Sequence, residues 1–314
     1  MYFYISAITI IALLLLSFLF TIISFVITFK SSKPKKKRKE EFELPPGKIY
    51  LPYKEQLIEW MKQYRSIPQV DFYITSYDGL KLHGKYFEFV KGAPIEIMFH
   101  GYRGNAERDL CGGVERCKRA NINVLVVDQR AHGESEGKVI TFGIKERFDC
   151  KSWVDFAVKH FGDDVVLYIT GISMGASTVL MASSLDLPSN VKGIVADCGF
   201  SSPKEIIKET VKKMHLPPKL MYPFIKFGAK VFGKFNIEET SPLEELKKCK
   251  LPVIFFHGDT DNFVPHYMSQ DNFEACASEN KKIIITPNAG HGLCFMLDMD
   301  GYIKELQEFL YVLR

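Results

Sequence analysis

One serine in this sequence has the surroundings that a catalytic nucleophile needs. Ser173 lies in the run GISMG at residues 171–175, which follows the apolar run VVLYIT and precedes the helical run ASTVLMASS. A serine at a sharp turn from strand to helix needs small neighbours, because side chains two residues away would collide. The N-terminus of the following helix favours negative charge that develops beside the serine. We therefore expect Ser173 to be a nucleophile, with a chance serine in a glycine-rich loop as the alternative.

A base and an acid that orients it are needed to activate a serine hydroxyl near neutral pH. His291, in the run AGHG after the apolar run KIIITP, is the candidate base. Asp259 and Asp261, both in the run HGDTD that follows PVIFF, are candidate acids. Loops at the carboxyl ends of parallel strands meet at one edge of a sheet. We therefore expect these residues to cluster around Ser173.

The other histidines fit supporting roles better than catalytic ones. We expect His100 and His257 to support loops and His132 to order the loop at residues 128–135. No grouping has metal-site spacing, since the Asp259 and Asp261 pair lacks a histidine at ligand spacing. We predict neither a metal nor a cofactor.

Strand and helix patterns alternate around these residues. Several runs, among them IEIMF and PVIFF, are apolar throughout, as in strands buried on both faces of a parallel sheet. The first two runs alternate and favour an antiparallel hairpin around residues 77–79. We predict an α/β fold with a mostly parallel eight-stranded sheet flanked by helices. The predicted strands are at residues 71–75, 81–87, 95–100, 123–128, 165–170, 191–196, 253–257 and 282–286.

The segment at residues 200–250 interrupts this alternation. Two stretches of helical character, at 203–214 and 217–232, carry many apolar side chains. We interpret the segment as a small helical lid over a pocket, with an ordinary packing subdomain as the alternative.

The N-terminal stretch has the composition of a membrane span. Residues 2–29 contain no charged residue, no proline and no glycine. A helix of that length is about 42 Å long, more than the roughly 30 Å hydrocarbon core of a bilayer. A cleaved signal peptide would begin with basic residues and have a shorter apolar region. We predict one transmembrane helix, with a signal peptide or a buried core helix as alternatives.

A basic run follows at once. Seven of the 41 lysines and arginines lie within residues 30–39. Such a flank attracts anionic lipid headgroups and, by the positive-inside tendency, places the downstream domain on the cytoplasmic side. We therefore predict a single-pass cell-membrane protein with an anchor at 1–29, a basic segment and linker at 30–52, and a globular domain at 53–314 that carries Ser173 and includes the lid.

The remaining composition excludes some partners. Without the basic run, the formal net charge of +4 becomes about −3, so nucleic acid is not an expected partner. The seven cysteines are scattered and form no CxxC pair. This pattern favours a reducing compartment over a disulfide framework.

From about residue 70 onward, the chain resembles the α/β-hydrolase superfamily, and within it the serine aminopeptidase, monoacylglycerol-lipase-like and related bacterial esterase branches. The order serine, aspartate, histidine is that of the family. Several ordered motifs are more specific than the serine motif alone. The matching runs are HGYRGN at 100–105, DQRAHGES at 128–135, GISMGA at 171–176, HGDTDNFVP at 257–265 and AGHG at 289–292.

The resemblance implies roles for individual residues. The acid of the family aligns with Asp261, which we therefore prefer to Asp259. The backbone N–H groups of Tyr102 and Met174 would form the oxyanion hole. The implied activity is hydrolysis of an ester or thioester through an acyl-serine intermediate, and a membrane location suits a lipid-like or acylated substrate. An amidase or peptidase with the same triad, or a non-catalytic membrane-tethered binding protein on this fold, are the alternatives.

Overall fold

A computed structural model of the chain describes residues 2–31 and 42–311. Of the basic run, only Lys30 lies within the described residues. The strands are β1 (Val70–Thr75), β2 (Lys81–Phe87), β3 (Ile95–Phe99), β4 (Asn123–Val127), β5 (Leu167–Ile172), β6 (Val191–Asp197), β7 (Val253–Gly258) and β8 (Lys281–Thr286).

These strands form one eight-stranded sheet in the order β1-β2-β4-β3-β5-β6-β7-β8. β2 is antiparallel to β1 and β4, and the other neighbours are parallel. Each predicted strand overlaps an observed one, so the predicted eight-stranded, mostly parallel sheet is confirmed.

Helices cover both faces of this sheet. A 3₁₀ helix at Lys48–Tyr53 precedes α2. In chain order the helices are α1 (Tyr2–Phe29), α2 (Lys54–Ser66), α3 (Ala106–Ala120), α4 (Glu146–Phe161), α5 (Met174–Ala182), α6 (Pro203–Lys213), α7 (Pro218–Val231), α8 (Pro242–Leu246), α9 (Tyr267–Ala275), α10 (Cys294–Leu297) and α11 (Met299–Phe309).

The apolar core lies on both sides of the sheet. β3 and β4 are buried at every position, which explains why their sequences are apolar almost throughout. Successive strand residues point to opposite faces. Phe256 accordingly packs in the cluster with Trp60 of α2, while Phe255 packs in the cluster with Trp153 of α4. Full burial of each such side chain contributes about 1.5–3 kcal/mol.

The predicted hairpin joins β1 and β2. Gly79 has a φ of 89°, in the left-handed region that favours glycine. Ser76 Oγ accepts a hydrogen bond from the Leu80 backbone N–H at 2.8 Å and donates to Asp78 Oδ1 at 2.8 Å. These hydrogen bonds stabilise the turn, which reverses the chain so that β2 runs antiparallel to β1.

Helix α1 is long and apolar enough to cross a membrane, with a mean hydropathy of 3.0 over Ile8–Phe29. Its C-terminal half packs against α7 through aromatic rings. The Phe20 and Phe224 ring centroids are 5.0 Å apart, and Phe29 is fully buried. The end of α1 is therefore part of the folded domain, whereas Tyr4, Ile8 and Leu14 in its N-terminal half are exposed.

Candidate active site

Ser173 occupies the turn between β5 and α5. Its φ of 57° and ψ of −119° lie where a non-glycine residue is strained. A Cβ added at Gly171 would lie 2.1 Å from the carbonyl carbon of Gly175. One added at Gly175 would lie 2.0 Å from the backbone oxygen of Phe99. Both glycines are therefore sterically required, as the spacing of GISMG predicts.

His291 and Asp261 form a close pair at the same edge of the sheet. His291 Nδ1 lies 2.6 Å from Asp261 Oδ2, although the residues are 30 positions apart. With Nδ1–H donating to the carboxylate, Nε2 of the neutral ring carries the lone pair that can accept a proton. The pair can thus supply an oriented general base.

Asp261 is held as a charged acceptor. Its Oδ1 accepts hydrogen bonds from the backbone N–H groups of Phe263 at 2.7 Å and Val264 at 2.9 Å. His257 Nε2 lies 3.2 Å from its Oδ2. Burial alone would raise the pKa of Asp261, but the charge of His291 and the hydrogen bonds from His257 and His291 hold this pKa well below its ordinary value.

The alternative acid lies elsewhere. Asp259 is exposed, and its Oδ1 accepts a hydrogen bond from the Asn288 backbone N–H at 2.7 Å. This contact braces the loop that carries His291. Of the two aspartates of HGDTD, Asp261 is the one whose carboxylate meets the imidazole.

Ser173 and His291 line the same cavity. Among the described residues there is no hydrogen bond between Ser173 Oγ and His291 Nε2. Nε2 instead lies 4.0 Å from Cys198 Sγ. Catalytic hydrogen bonds are often long in ligand-free sites and tighten when substrate binds, so this arrangement is compatible with His291 as the base for Ser173.

The loop at residues 100–105, called the oxyanion loop after its predicted role, runs beside Ser173. A Cβ added at Gly101 would lie 3.5 Å from Ser173 Cβ, so the loop backbone approaches the serine closely. Within the part of the chain that the structure describes, neither the Tyr102 nor the Met174 backbone N–H has a protein acceptor. Two such free donors beside a serine are what an oxyanion hole requires.

Two buried histidines brace this loop. His132 Nε2 accepts a hydrogen bond from the Arg103 backbone N–H at 3.1 Å, and its Nδ1 lies 2.9 Å from the Arg130 carbonyl. Burial, together with the nearby His100, lowers the pKa of His132 to about 3, so the ring is neutral. His100 Nε2 accepts from the Gln129 backbone N–H at 3.1 Å.

The cavity beside Ser173 has a volume of about 550 Å³. Its walls are mainly apolar, and the Tyr302 hydroxyl, 3.1 Å from Asp197 Oδ2, is part of them. Charged side chains also line the cavity, namely Arg103, Arg108, Asp109 and Arg116. The linker residues 45–50, α2, α3 and α10 supply much of the lining. Residues 200–250 are fully described and do not line it, so the interpretation of this segment as a lid stays a prediction.

One cluster could offer three ligand atoms to a metal, among the residues that the structure describes. It consists of Cys198, Asp261 and His291. Burial and the neighbouring carboxylates raise the pKa of the Cys198 thiol well above its ordinary value, whereas a metal binds the thiolate. The two Asp261 oxygens already accept hydrogen bonds. The cluster fits a proton-transfer site better than a metal site.

Three residues that contact His291 were not singled out from the sequence. Cys198 directly follows β6 at the same sheet edge, and Phe263 lies within HGDTDNFVP with its ring centroid 5.0 Å from the imidazole. Both residues could have been identified from the sequence, since one follows a predicted strand and the other lies within a matching motif. The Tyr50 hydroxyl donates to the His291 carbonyl at 2.9 Å, and no pattern in the linker predicts that contact.

Comparisons with other sequences find a known fold in this chain. A model of the alpha/beta hydrolase fold matches residues 97–227. The uncharacterized protein YqkD of Bacillus subtilis is 29% identical over 189 residues, which cover 60% of this chain and 62% of that protein, less than two thirds of its length. Protein bem46 of Schizosaccharomyces pombe is 25% identical over 228 residues, covering 71% of this chain and 69% of that protein. An uncharacterized membrane protein of Saccharomyces cerevisiae is 25% identical over 201 residues, covering 62% of each chain.

Solved structures have the same arrangement of elements. An esterase of Pyrococcus furiosus superposes with a TM-score of 0.66 at 22% identity, covering 90% of this chain and 97% of that chain. Est1E of Butyrivibrio proteoclasticus, solved with ferulic acid, superposes with a TM-score of 0.57 at 21% identity, covering 76% and 97%. The branch within the superfamily stays a prediction. The chain is an α/β-hydrolase-fold protein with esterases among its structural neighbours.

Proposed function

We propose that this chain is a serine hydrolase that cleaves a carboxylic ester or thioester. One observation carries the proposal: Ser173, on its strained turn, and His291 line one cavity, while Asp261 binds His291 from the other side. The nucleophile, the base and the acid occupy loops at the carboxyl ends of three neighbouring or near-neighbouring strands. The esterase neighbours favour esters over other acyl compounds.

In the proposed reaction, His291 Nε2 takes the proton of Ser173 Oγ as this oxygen attacks the carbonyl carbon. The carbonyl oxygen becomes an oxyanion, which the Tyr102 and Met174 N–H groups stabilise; loss of one such donor costs roughly 10²–10³ in rate. The bond to the alcohol or thiol then breaks, and the leaving group takes the proton from His291. Water, deprotonated by His291, attacks the acyl carbon; the bond to Ser173 Oγ breaks, Oγ takes the proton back from His291, and the acid leaves.

The cavity supports a substrate with an apolar acyl chain. Its volume of about 550 Å³ falls within the range of small-molecule sites. Leu57, Trp60 and Phe295 contribute apolar wall, and Trp60 stacks on Phe295 with ring centroids 5.6 Å apart. This part of the wall suits an apolar acyl chain.

The same proposal places the enzyme at a membrane. α1 has the length and hydropathy of a span, and its N-terminal half exposes large side chains such as Leu14 and Leu15. Bilayer lipids would cover these side chains. The basic residues within 30–39 favour a cytoplasmic hydrolase domain, and a reporter fused after residue 39 that reads out an extracellular location would contradict that orientation.

The test uses the full chain in detergent micelles and a fluorophosphonate probe. Wild type should be labelled and Ser173→Ala should not. Ser202→Ala is the matched control, because this serine is the N-cap residue before α6 and its hydroxyl makes no capping hydrogen bond. Equal labelling of wild type and Ser173→Ala would sink the assignment of the nucleophile.

A substrate panel then tests the reaction type. p-Nitrophenyl esters and acyl thioesters of increasing chain length should be hydrolysed with Ser173-dependent turnover, and short peptides should not. Faster cleavage of anilides or peptides than of esters would instead favour an amidase. Absence of both labelling and turnover in the wild type would favour a binding protein on this fold.

A further inference from the structure

The C-terminal turn of α1 ends against the oxyanion loop. The last carbonyls of a helix have no partner within the helix. Here the Ile27 carbonyl accepts a hydrogen bond from Arg103 Nη2 at 2.6 Å. The Thr28 carbonyl accepts one from the Tyr102 hydroxyl at 2.8 Å. Two successive residues of the oxyanion loop therefore bind the end of the apolar helix.

Phe29, the last residue of α1, fixes this helix end to the body of the domain. Its ring is fully buried and lies 5.3 Å from the Phe235 ring and 5.8 Å from the Phe142 ring, centroid to centroid. Its carbonyl accepts a hydrogen bond from the Ile140 backbone N–H at 2.8 Å. The carbonyls that Arg103 and Tyr102 bind are thus a rigid support.

Arg103 links this support to the oxyanion donor. Its backbone has a φ of 52°, an uncommon conformation for a non-glycine residue. Its N–H donates to His132 Nε2 at 3.1 Å. Its guanidinium carbon lies 5.1 Å from the centroid of the Tyr102 ring. The peptide that follows the free Tyr102 N–H is therefore held from the His132 side, and the side chains of Tyr102 and Arg103 are held from the α1 side.

We propose that Arg103 is a positioning residue: by binding the carbonyl end of α1, it keeps the Tyr102 N–H aimed at the oxyanion, so the apolar helix is part of the framework of the active site. This inference rests on the proposed function. A displacement of about 1 Å at a catalytic group can cost about 10² in rate. Loss of this support should therefore slow turnover while ground-state binding in the apolar cavity persists.

The experiment compares full-length variants in detergent with a p-nitrophenyl ester. Arg103→Gln removes the charge and shortens the reach, and we expect kcat to fall by about 10- to 100-fold with KM within about twofold. A trifluoromethyl ketone, which mimics the oxyanion, should lose affinity by the same factor. Arg103→Lys, which keeps a cationic donor near the helix end, should recover part of both losses.

Phe224→Leu is the matched control, because the Phe224 ring packs on Phe20 of α1, at the contact of α1 with α7. Its kcat should stay within about twofold of wild type. An Arg103→Gln variant with wild-type kcat, or one in which kcat falls while inhibitor affinity is unchanged, would overturn the inference and leave the proposed function standing. A wild type without Ser173-dependent turnover would overturn the proposed function, and this inference with it.

Discussion

Asp261 Oδ2 and His291 Nδ1 lie 2.6 Å apart, across loops that follow β7 and β8. The contact fixes the imidazole tautomer and offers a negative charge to the imidazolium that proton transfer would create. The carboxylate can do so because backbone N–H groups and His257 satisfy its other lone pairs. This geometry identifies Asp261 as the partner of His291, although Asp259 is only two positions away in the sequence.

Asp261→Asn should lower kcat by roughly 10³–10⁴, because the amide permits the wrong tautomer of His291. Asp259→Asn should leave kcat within about threefold, because an asparagine oxygen can still accept from the Asn288 N–H. Steady-state hydrolysis of a p-nitrophenyl ester by the two variants measures the difference. Similar losses in both variants would contradict the assignment of the acid.

Cys198→Ala should retain at least about a third of the wild-type activity. The thiol lies 4.0 Å from His291 Nε2, but burial raises its pKa well above the ordinary value, so it is protonated and a poor nucleophile. Iodoacetamide at pH 7.5 should accordingly leave wild-type turnover intact. Rapid inactivation by iodoacetamide that the alanine variant escapes would assign the thiol a catalytic role.

Gly112→Ala should shorten the preferred acyl chain. A Cβ at Gly112 would lie 3.0 Å from Trp60 Cζ3, so the indole must move within the cavity wall. The replacement also gains about 1 kcal/mol of helix propensity within α3, which offsets part of the stability that the crowding costs. We expect kcat/KM to fall for long-chain p-nitrophenyl esters and to hold for the acetate. A uniform loss across the chain-length series would place Gly112 outside the acyl site.

His83 should make stability depend on pH. Burial lowers its pKa, but hydrogen bonds to Asp128 and Asp71 outweigh this effect and raise the pKa above the ordinary value. A raised histidine pKa stabilises the fold fully below the unfolded-state pKa of about 6.5, and the contribution is lost as pH rises through the folded-state pKa.

Urea unfolding of wild type and His83→Gln at pH 5.5 and pH 8.5 measures this contribution. The difference between the two proteins in free energy of unfolding should be larger at pH 5.5. A difference that does not change with pH, or grows at pH 8.5, would show that Asp128 and Asp71 do not stabilise the protonated ring of His83.

The strand pattern could be predicted because it depends on local sequence. Buried parallel strands need apolar side chains on both faces, and the runs IEIMF and PVIFF show this directly. The turn at Ser173 was equally predictable, since only glycines fit at positions 171 and 175. The roles of Ser173, Asp261, His291, Tyr102 and Met174 stay predictions until the variants are measured.

The sequence by itself determined which residue types follow each strand, because a strand and the loop after it occupy one short, continuous stretch of the chain. Only the tertiary structure decided how distant segments meet at that edge. The linker that carries Tyr50 joins the cavity wall, and the end of α1 binds Tyr102 and Arg103 of the oxyanion loop. Such contacts join residues more than 70 positions apart. They depend on how whole helices and strands pack, and the local pattern of apolar residues does not specify that packing.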